Sequence, residues 1–385
     1  MALTQVQSGL LESGAALNNI GAGTITPSYL NTQAQYTGFK NRIINGDMTI
    51  SQRNGTSSVN ANSSTAPYTT DRFNVNVGGS SAVIACQQVS DAPAGFVNSL
   101  RLTVSTAATP SSGQFLFLRQ IIEGVNIADF AWGTANASAV ALSFWVKASV
   151  AGTYSAFAIN SAESRSYVAT FTVSATNTWE YKTITIPGDT TGTWLTNNSN
   201  GIRLGFDLGS GSDLNGAANT WQSGWKQRTS GTVNWVGTSG ATFQVTGVQL
   251  EKGSTATSFD YRPYGTEFYL CKRYYEQKDY TSGSFEAICA GTVPSTGTST
   301  NTTFPFTYEV EKRAVPSITL SAGSTFRVNG GNVADNQATS NSVGIVGKYT
   351  FQLELQSGVS RNSGMSIWAS RQLTETCFIR ISAEL

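Results

Sequence analysis

The sequence contains no histidine among its 385 residues. Without an imidazole, the chain cannot form a Ser-His-Asp or Cys-His catalytic centre, and it lacks the Cys/His spacing of a zinc site. It also contains neither a Gly-x-Ser-x-Gly turn nor a phosphate-binding loop. The prediction is that the protein is not an enzyme and has no catalytic residue, no metal and no cofactor.

Acidic residues keep two alternatives open. Carboxylates can pair as in glycosidases, and loop aspartates can hold a structural calcium ion. Sequence spacing alone cannot bring carboxylates together across a β fold. The candidates for a catalytic carboxylate pair are Asp129, Glu163, Glu180, Asp189, Asp207 and Asp213.

Charge is scarce and evenly balanced. Charged residues make up 12% of the chain, against roughly 25% in typical soluble domains, and the net charge is +1. No run of like charges provides the basic face of an electrostatic nucleic-acid binder. No apolar stretch of about 18 residues predicts membrane insertion. The first residues lack the basic and apolar regions of a signal peptide, so we expect the protein to be made in the cytoplasm and not exported by the Sec route.

The four cysteines, Cys86, Cys271, Cys289 and Cys377, are far apart and form no Cys-x-x-Cys pair. This usage is typical of free, buried thiols in a protein made in a reducing compartment. A Cys271–Cys289 disulfide is the alternative.

Lysine and glutamate, which normally cover helical surfaces, are also scarce, so few long helices are expected. Short alternating runs rich in Thr, Val and aromatic residues are separated by Gly, Ser and Asn clusters, a pattern typical of β-sandwiches and jelly rolls. Residues 140–148 illustrate it, since Ser143, Trp145 and Lys147 fall on the face opposite Leu142 and Phe144. Further strands are predicted over 72–77, 83–89, 99–105, 115–122, 153–160, 166–173, 180–186, 202–208, 232–236 and 241–250.

The predicted fold class is all-β: a jelly-roll β-sandwich, a second and smaller β-sandwich, and an extended N-terminal attachment segment. Residues 1–40 are too poor in apolar residues for a core of their own, and we expect them to mediate attachment or oligomerisation. The jelly roll is assigned to 41–265, a short helical linker to 266–279 and the second sandwich to 280–385. Strands of the second sandwich are predicted over 284–290, 302–310, 317–320, 326–329, 344–355 and 376–383.

Three tryptophans in a Gly/Ser/Asn-rich region are candidates for binding sugars: Trp221, Trp225 and Trp235. Exposed aromatic faces stack on the C–H groups of sugars, so a polysaccharide is a predicted partner. The alternative is that these rings belong to the core, because tryptophan is highly buried on average.

Charged residues concentrate in two distant segments, 41–73 and 247–264. Arg–carboxylate pairs between them would join the first and last strands of the jelly roll, giving registry more than net stability. The residues assigned to these structural pairs are Arg42, Asp47, Arg53, Asp71, Arg72, Glu251, Asp260 and Arg262.

The same segments carry a resemblance to a known family. NRIINGDMTISQRNG, YTTDRF, GVQLEKGSTATSFDYRPYGTE and LCKRYYE together resemble a recurrent family of phage and prophage tail proteins. The resemblance covers roughly residues 39–276, where the middle is similar only in strand rhythm. It implies a jelly roll similar to carbohydrate-binding modules and a homotrimeric virion component, and it supplies no catalytic residues.

The function expected from these observations is that of a bacteriophage tail fibre protein, located in the virion tail, that recognises host-surface polysaccharide. Residues 1–40 would contact other tail proteins, and 280–385 would form a receptor tip or a trimer clamp. One alternative is a structural virion protein, such as a head fibre, collar or baseplate component, without receptor contact. A polysaccharide depolymerase is a third.

Overall fold

The structure is a computed structural model that describes residues 39–281, 287–292, 299–330, 333–361, 365–371 and 376–385. The predicted attachment segment 1–40 therefore lies outside the described residues, apart from its last two. Regular structure in the described ranges is almost entirely β, arranged in antiparallel sheets, which confirms the predicted fold class.

The first unit contains twelve strands. They are β1 (Val59–Ala61), β2 (Asn74–Gly78), β3 (Val83–Val89), β4 (Ser99–Thr106), β5 (Phe115–Glu123), β6 (Val140–Ala148), β7 (Gly152–Asn160), β8 (Arg165–Val173), β9 (Glu180–Ile186), β10 (Asn200–Asp207), β11 (Trp221–Ser223) and β12 (Thr242–Lys252). The first sheet has the order β1-β3-β4-β12-β6-β9 and the second β11-β8-β7-β10-β5-β2. They stack face to face, and one apolar core fills the space between them.

The alternation of side chains along each strand determines which residues enter the core. On β6, Leu142, Phe144 and Val146 are fully buried between the sheets. Strands β3, β6 and β9 have the predicted bounds. The strand predicted over 232–236 is wrong, since Trp235–Gly237 is a 3₁₀ turn. Strands β1 and β11 were not predicted, because each has only three residues and lies in a polar stretch.

Strand β12 contains a β-bulge that lets a distant segment join the first sheet. Its register with β6 shifts between Thr246 and Gln249, and it pairs with β4 only as far as Val245. Beyond that point residues 41–46 take the place of β4. The backbone N–H of Val248 donates to the Gly46 carbonyl at 2.9 Å, and that of Arg42 donates to the Leu250 carbonyl at 2.8 Å.

The described residues of the second unit form ten strands, of which the first follows helix α1 (Tyr264–Lys272). They are β13 (Tyr275–Tyr280), β14 (Ala287–Thr292), β15 (Ser299–Thr307), β16 (Ser317–Leu320), β17 (Phe326–Gly330), β18 (Val333–Gln337), β19 (Ser340–Val346), β20 (Thr350–Arg361), β21 (Ser366–Arg371) and β22 (Cys377–Ser382). Its sheets have the orders β13-β22-β16, β14-β21-β17-β18 and β15-β20-β19, and they enclose a second apolar core.

The structure corrects several boundaries here. The linker predicted over 266–279 is only partly helical, because β13 pairs with β22 and so belongs to the second unit. The strand predicted over 344–355 spans the turn between β19 and β20. Strands β18 and β21 were not predicted. Polar residues dominate these strands, which hides their alternation.

A charged cluster joins the two units; we call it the junction. Arg72 and Arg53 both pair with Glu384, Arg53 at 3.2 Å. The Arg72 guanidinium lies 3.4 Å from the ring centre of Tyr274 and donates a 2.6 Å hydrogen bond to the Ile121 carbonyl. Arg72 is 2% exposed, so removing its partner would leave a buried charge.

Two further buried carboxylates stabilise the same region. Glu123 of the first sandwich accepts a bidentate pair from Arg273 at 2.8 and 3.0 Å. Glu276 and Lys312 pair at 2.6 Å, and both are fully buried. The junction therefore couples the units through fixed geometry.

All four cysteines are free thiols, and three of them are buried. Among the described residues, the one α-helix is too short to cross a membrane.

Removing the shared carboxylate of the junction should be costly. We expect Glu384→Ala to lower the free energy of unfolding by about 3–5 kcal/mol, because Arg72 is left buried and unpaired. Asp129→Ala, which breaks the exposed 2.8 Å pair with Arg42, is the matched control and should cost less than about 1 kcal/mol. Urea denaturation of the full chain measures both, and equal effects would contradict the assigned role.

The thiols should be unreactive in the native protein. Burial raises the pKa of Cys86 and of Cys289 to about 12 and that of Cys377 to about 11, and it also raises the pKa of Cys271. Thiolate is the reactive form, so labelling with Ellman's reagent at pH 8 should be on the order of a hundredfold slower than in urea. Four thiols should titrate after unfolding; two would indicate a Cys271–Cys289 disulfide.

Candidate functional site

The three tryptophans proposed to stack on sugars do not form one surface. Trp235 is 0% exposed, with its ring centre 6.4 Å from that of Phe243. The 3₁₀ turn that begins at Trp235 directs its indole into the core between the sheets. A fully enclosed ring offers no face to a sugar, so the prediction for Trp235 is wrong.

Trp221 and Trp225 are half-buried and lie in separate aromatic clusters. The Trp221 ring centre is 5.2 Å from that of Trp132 and 5.4 Å from that of Trp194. Trp225 packs 5.1 Å from Phe115 on the outer face of the second sheet. Both rings use much of their surface for packing within the chain.

A better-placed aromatic pair lies on the outer face of the first sheet. Trp145 of β6 is the direct cross-strand partner of Tyr181 of β9, and their ring centres are 5.4 Å apart. Tyr181 is 44% exposed. The alternation of β6 already predicts Trp145 on the outer face, and that signal identifies the site better than a Gly-rich context does.

A cavity of about 380 Å³ opens to solvent above this pair. We call it the Trp145 groove. It is lined by Ser143, Trp145, Tyr181, Gly247, Ala256, Thr257, Ser258 and Phe259. Its volume falls within the roughly 300–1,000 Å³ of ligand pockets. Three aromatic rings and several hydroxyl groups form its lining, and no lining side chain is charged.

Gly247 shapes the floor of the groove. It lies in the bulge of β12 with φ = +62°, a conformation that favours glycine. A Cβ atom there would lie 2.7 Å from the Phe96 ring and 3.2 Å from Cδ1 of Trp145. The absence of a side chain at Gly247 therefore leaves space for the Trp145 indole.

Two buried side chains of β12 hold one wall of the groove, the segment 254–259. Glu251 is 1% exposed and accepts hydrogen bonds from the backbone N–H and the hydroxyl of Thr257, at 2.8 and 2.7 Å. Gln249 donates to Glu251 at 2.8 Å and to the Ser258 carbonyl at 3.2 Å. The side-chain carbonyl of Gln249 accepts a hydrogen bond from the backbone N–H of Asp260 at 2.8 Å.

A carboxylate next to the groove organises a further aromatic residue. Asp91 accepts from Lys147 at 2.6 Å, from Gln244 at 2.9 Å and from the indole of Trp179 at 3.3 Å. The hydrogen bond from Lys147 lowers the pKa of Asp91 below its ordinary value. Trp179 is thereby held at the same edge of the sheet as Tyr181.

The arginines of the predicted charged segments pair mainly with residues outside those segments. Arg42 pairs with Asp129 at 2.8 Å, and Arg53 and Arg72 pair with Glu384. Arg262 pairs with Glu267 at 3.0 Å and reaches Asp260 only at 4.0 Å. The predicted Arg–carboxylate pairs between the two segments are therefore replaced by bonds to the backbone: Arg262 donates to the Ile43 carbonyl at 3.2 Å, and Asp260 accepts from the N–H of Asn41 at 3.1 Å.

The carboxylates of that set chiefly accept from uncharged donors. Asp71 accepts from the backbone N–H of Gln52 at 2.9 Å, and Asp260 accepts from that of Lys40 at 2.9 Å. Asp47 accepts a 3.4 Å bond from the N–H two residues later. Glu251 supports the groove wall. Hydrogen bonds of Asp260 and Glu251 thereby hold the segment after β12 against that strand.

Most of the acidic residues considered as a catalytic pair each bond a different partner. Asp189 accepts a bidentate pair from Arg165 at 2.9 and 2.7 Å, and Glu163 pairs with Arg203. Burial raises the pKa of Asp207, which accepts from Gln227 at 3.1 Å. In the described part of the chain, no three potential metal ligands cluster.

No protein-family model and no curated protein matches the chain. Solved structures with a similar fold include the enzymatically active domain of bacteriophage CBA120 tailspike protein 4, 12% identical, with a TM-score of 0.29 over 55% of this chain and 21% of that one. A CBM4 structure is 14% identical (TM-score 0.29; 54% and 97% covered). A putative sugar binding protein from Bacteroides thetaiotaomicron is 15% identical (TM-score 0.30; 55% and 100% covered).

The chain thus spans about a fifth of the tailspike domain. Similarity at these TM-scores and identities carries no functional argument.

Gly247 can be tested against a glycine with the same backbone conformation. Gly240 has φ = +74°, but a Cβ there would meet nothing within 4 Å. Gly240→Ala should therefore cost only the roughly 1–2 kcal/mol of a left-handed residue. Gly247→Ala should cost more and should change the near-ultraviolet circular dichroism of Trp145. Identical losses of stability, with unchanged spectra, would contradict the proposed shape of the floor.

Proposed function

We propose that this chain is a bacteriophage tail fibre protein that binds host-surface polysaccharide through the Trp145 groove. The observation that carries the proposal is the cross-strand pair of Trp145 and Tyr181, with 5.4 Å between ring centres, beneath an open cavity. Aromatic faces of this kind stack on the C–H groups of sugar rings. Hydroxyl groups in the lining can hydrogen-bond sugar hydroxyls.

The assignment to a virion is supported by the sequence resemblance, and the structure gives its residues physical roles. Gly46 and Asn41 of the first motif contact β12, and Gln249 and Glu251 of the second hold the groove wall. In this proposal the protein is a homotrimer located in the virion tail, and residues 1–40 contact other tail proteins. The groove lies in the first sandwich, and residues 280–385 serve as a tip or a clamp.

A pair of tryptophan variants tests the groove. Trp145→Ala should weaken binding to host cells and their extracted polysaccharide by tenfold or more, since stacking on an aromatic face contributes roughly 1–3 kcal/mol, the range known for bases stacked on rings. Trp225→Ala removes a half-buried indole from the opposite sheet and should leave affinity unchanged. Binding isotherms of the full-length variants, with melting temperatures to verify folding, measure this.

Two other results would favour a different binding site or a different function. Loss of binding in Trp225→Ala but not in Trp145→Ala would move the site to the second sheet. A correctly folded oligomer that binds neither cells nor polysaccharide, yet assembles into virus particles, would favour the structural virion protein.

A further inference from the structure

We propose that the Trp145 groove selects neutral saccharides and rejects sugars that carry a carboxylate, sulfate or phosphate. This inference rests on the proposed function, because it concerns the ligand of the same groove. It follows from the charges in and around the lining.

The lining offers an anion no cationic partner. All eight lining residues are uncharged, and three of them contribute aromatic rings. The negative π-face of an aromatic ring favours C–H groups and cations over anions. An anionic group that enters such a site loses water without gaining a charge-assisted hydrogen bond.

The two cations next to the lining are already engaged. Lys147 lies two residues beyond Trp145 on β6 and pairs with Asp91 at 2.6 Å. Lys40 donates to the hydroxyl of Thr257. The charge of Lys147 is balanced by Asp91, and that of Lys40 is balanced, through the Thr257 hydroxyl, by the Glu251 carboxylate.

A buried negative charge lies behind the wall. The Glu251 carboxylate is 1% exposed and hydrogen-bonds Thr257, a lining residue. The donors to this carboxylate are the uncharged residues Gln249 and Thr257, and Lys40 is connected to it through the Thr257 hydroxyl. The surroundings of the groove therefore carry no net positive charge that could compensate an anionic ligand.

Neutral sugar hydroxyls match the polar groups that are present. Tyr181 is 44% exposed beside Trp145, and Ser258 is exposed at the rim. Both carry hydroxyl groups that donate and accept. The ring faces and these hydroxyls together match a pyranose with an apolar face and neutral edges.

The test uses a matched pair of polymers that differ in charge. Fully methyl-esterified polygalacturonan and its de-esterified acid share one backbone, and dextran, mannan, galactan, alginate and heparin extend the panel. The full-length protein and Trp145→Ala are titrated with each polymer. We expect Trp145-dependent binding to at least one neutral polymer and at least about tenfold weaker binding to every acidic polymer.

A variant that adds a positive charge tests the opposite change in selectivity. Ser258→Lys places an ammonium at the exposed rim and should improve binding to acidic polymers, and this gain should disappear at 1 M NaCl, where charges are screened over about 3 Å. Binding of the wild-type protein to neutral polymers should be insensitive to salt.

Each remaining outcome overturns a distinct claim. Trp145-dependent binding to an acidic polymer as tight as to any neutral one overturns the selectivity while leaving the proposed function in place. If Trp145→Ala does not weaken binding, the groove is not the saccharide site and the selectivity fails with it. The same conclusion follows if the protein binds no polymer in the panel and no host polysaccharide.

Discussion

The contact between residues 41–46 and the bulge of β12 is the constraint on which the rest of the structure depends. Asn41 donates to the Val248 carbonyl at 3.1 Å and accepts from the backbone N–H of Leu250 at 3.0 Å. A side chain at Gly46 would collide with the Val248 carbonyl. The bulge therefore has a backbone partner on the side where β4 no longer pairs, and the positive φ of Gly247 is maintained.

From this bulge the chain continues into both the groove and the junction. Gln249 and Glu251 fix the segment that forms the groove wall, and Arg262 then pairs with Glu267 at the start of α1. The helix leads to Tyr274, which packs against Arg72. In a chain with few charged residues, several of them are buried at these positions, where paired charges specify geometry more than they add stability.

The sequence correctly predicted those strands whose alternation of apolar and polar residues extends over several consecutive positions. Alternation over nine residues defined β6 and placed Trp145 outward, as the structure has it. Three-residue strands such as β1 carry too little pattern to be recognised. The partner of Arg72 is 312 residues away in Glu384, and no spacing rule connects them. Trp235 was misassigned because composition around a residue does not reveal which way a 3₁₀ turn directs its side chain.

Hydrogen exchange of the full-length protein, with and without extracted host polysaccharide, tests the central claim most directly. The account predicts that protection appears in the segment 254–259 and in the adjoining parts of β6 and β9, while the outer face of the second sheet around Trp225 is unchanged. Protection confined to the second sheet or to the C-terminal unit, under conditions where the polysaccharide binds, would contradict it.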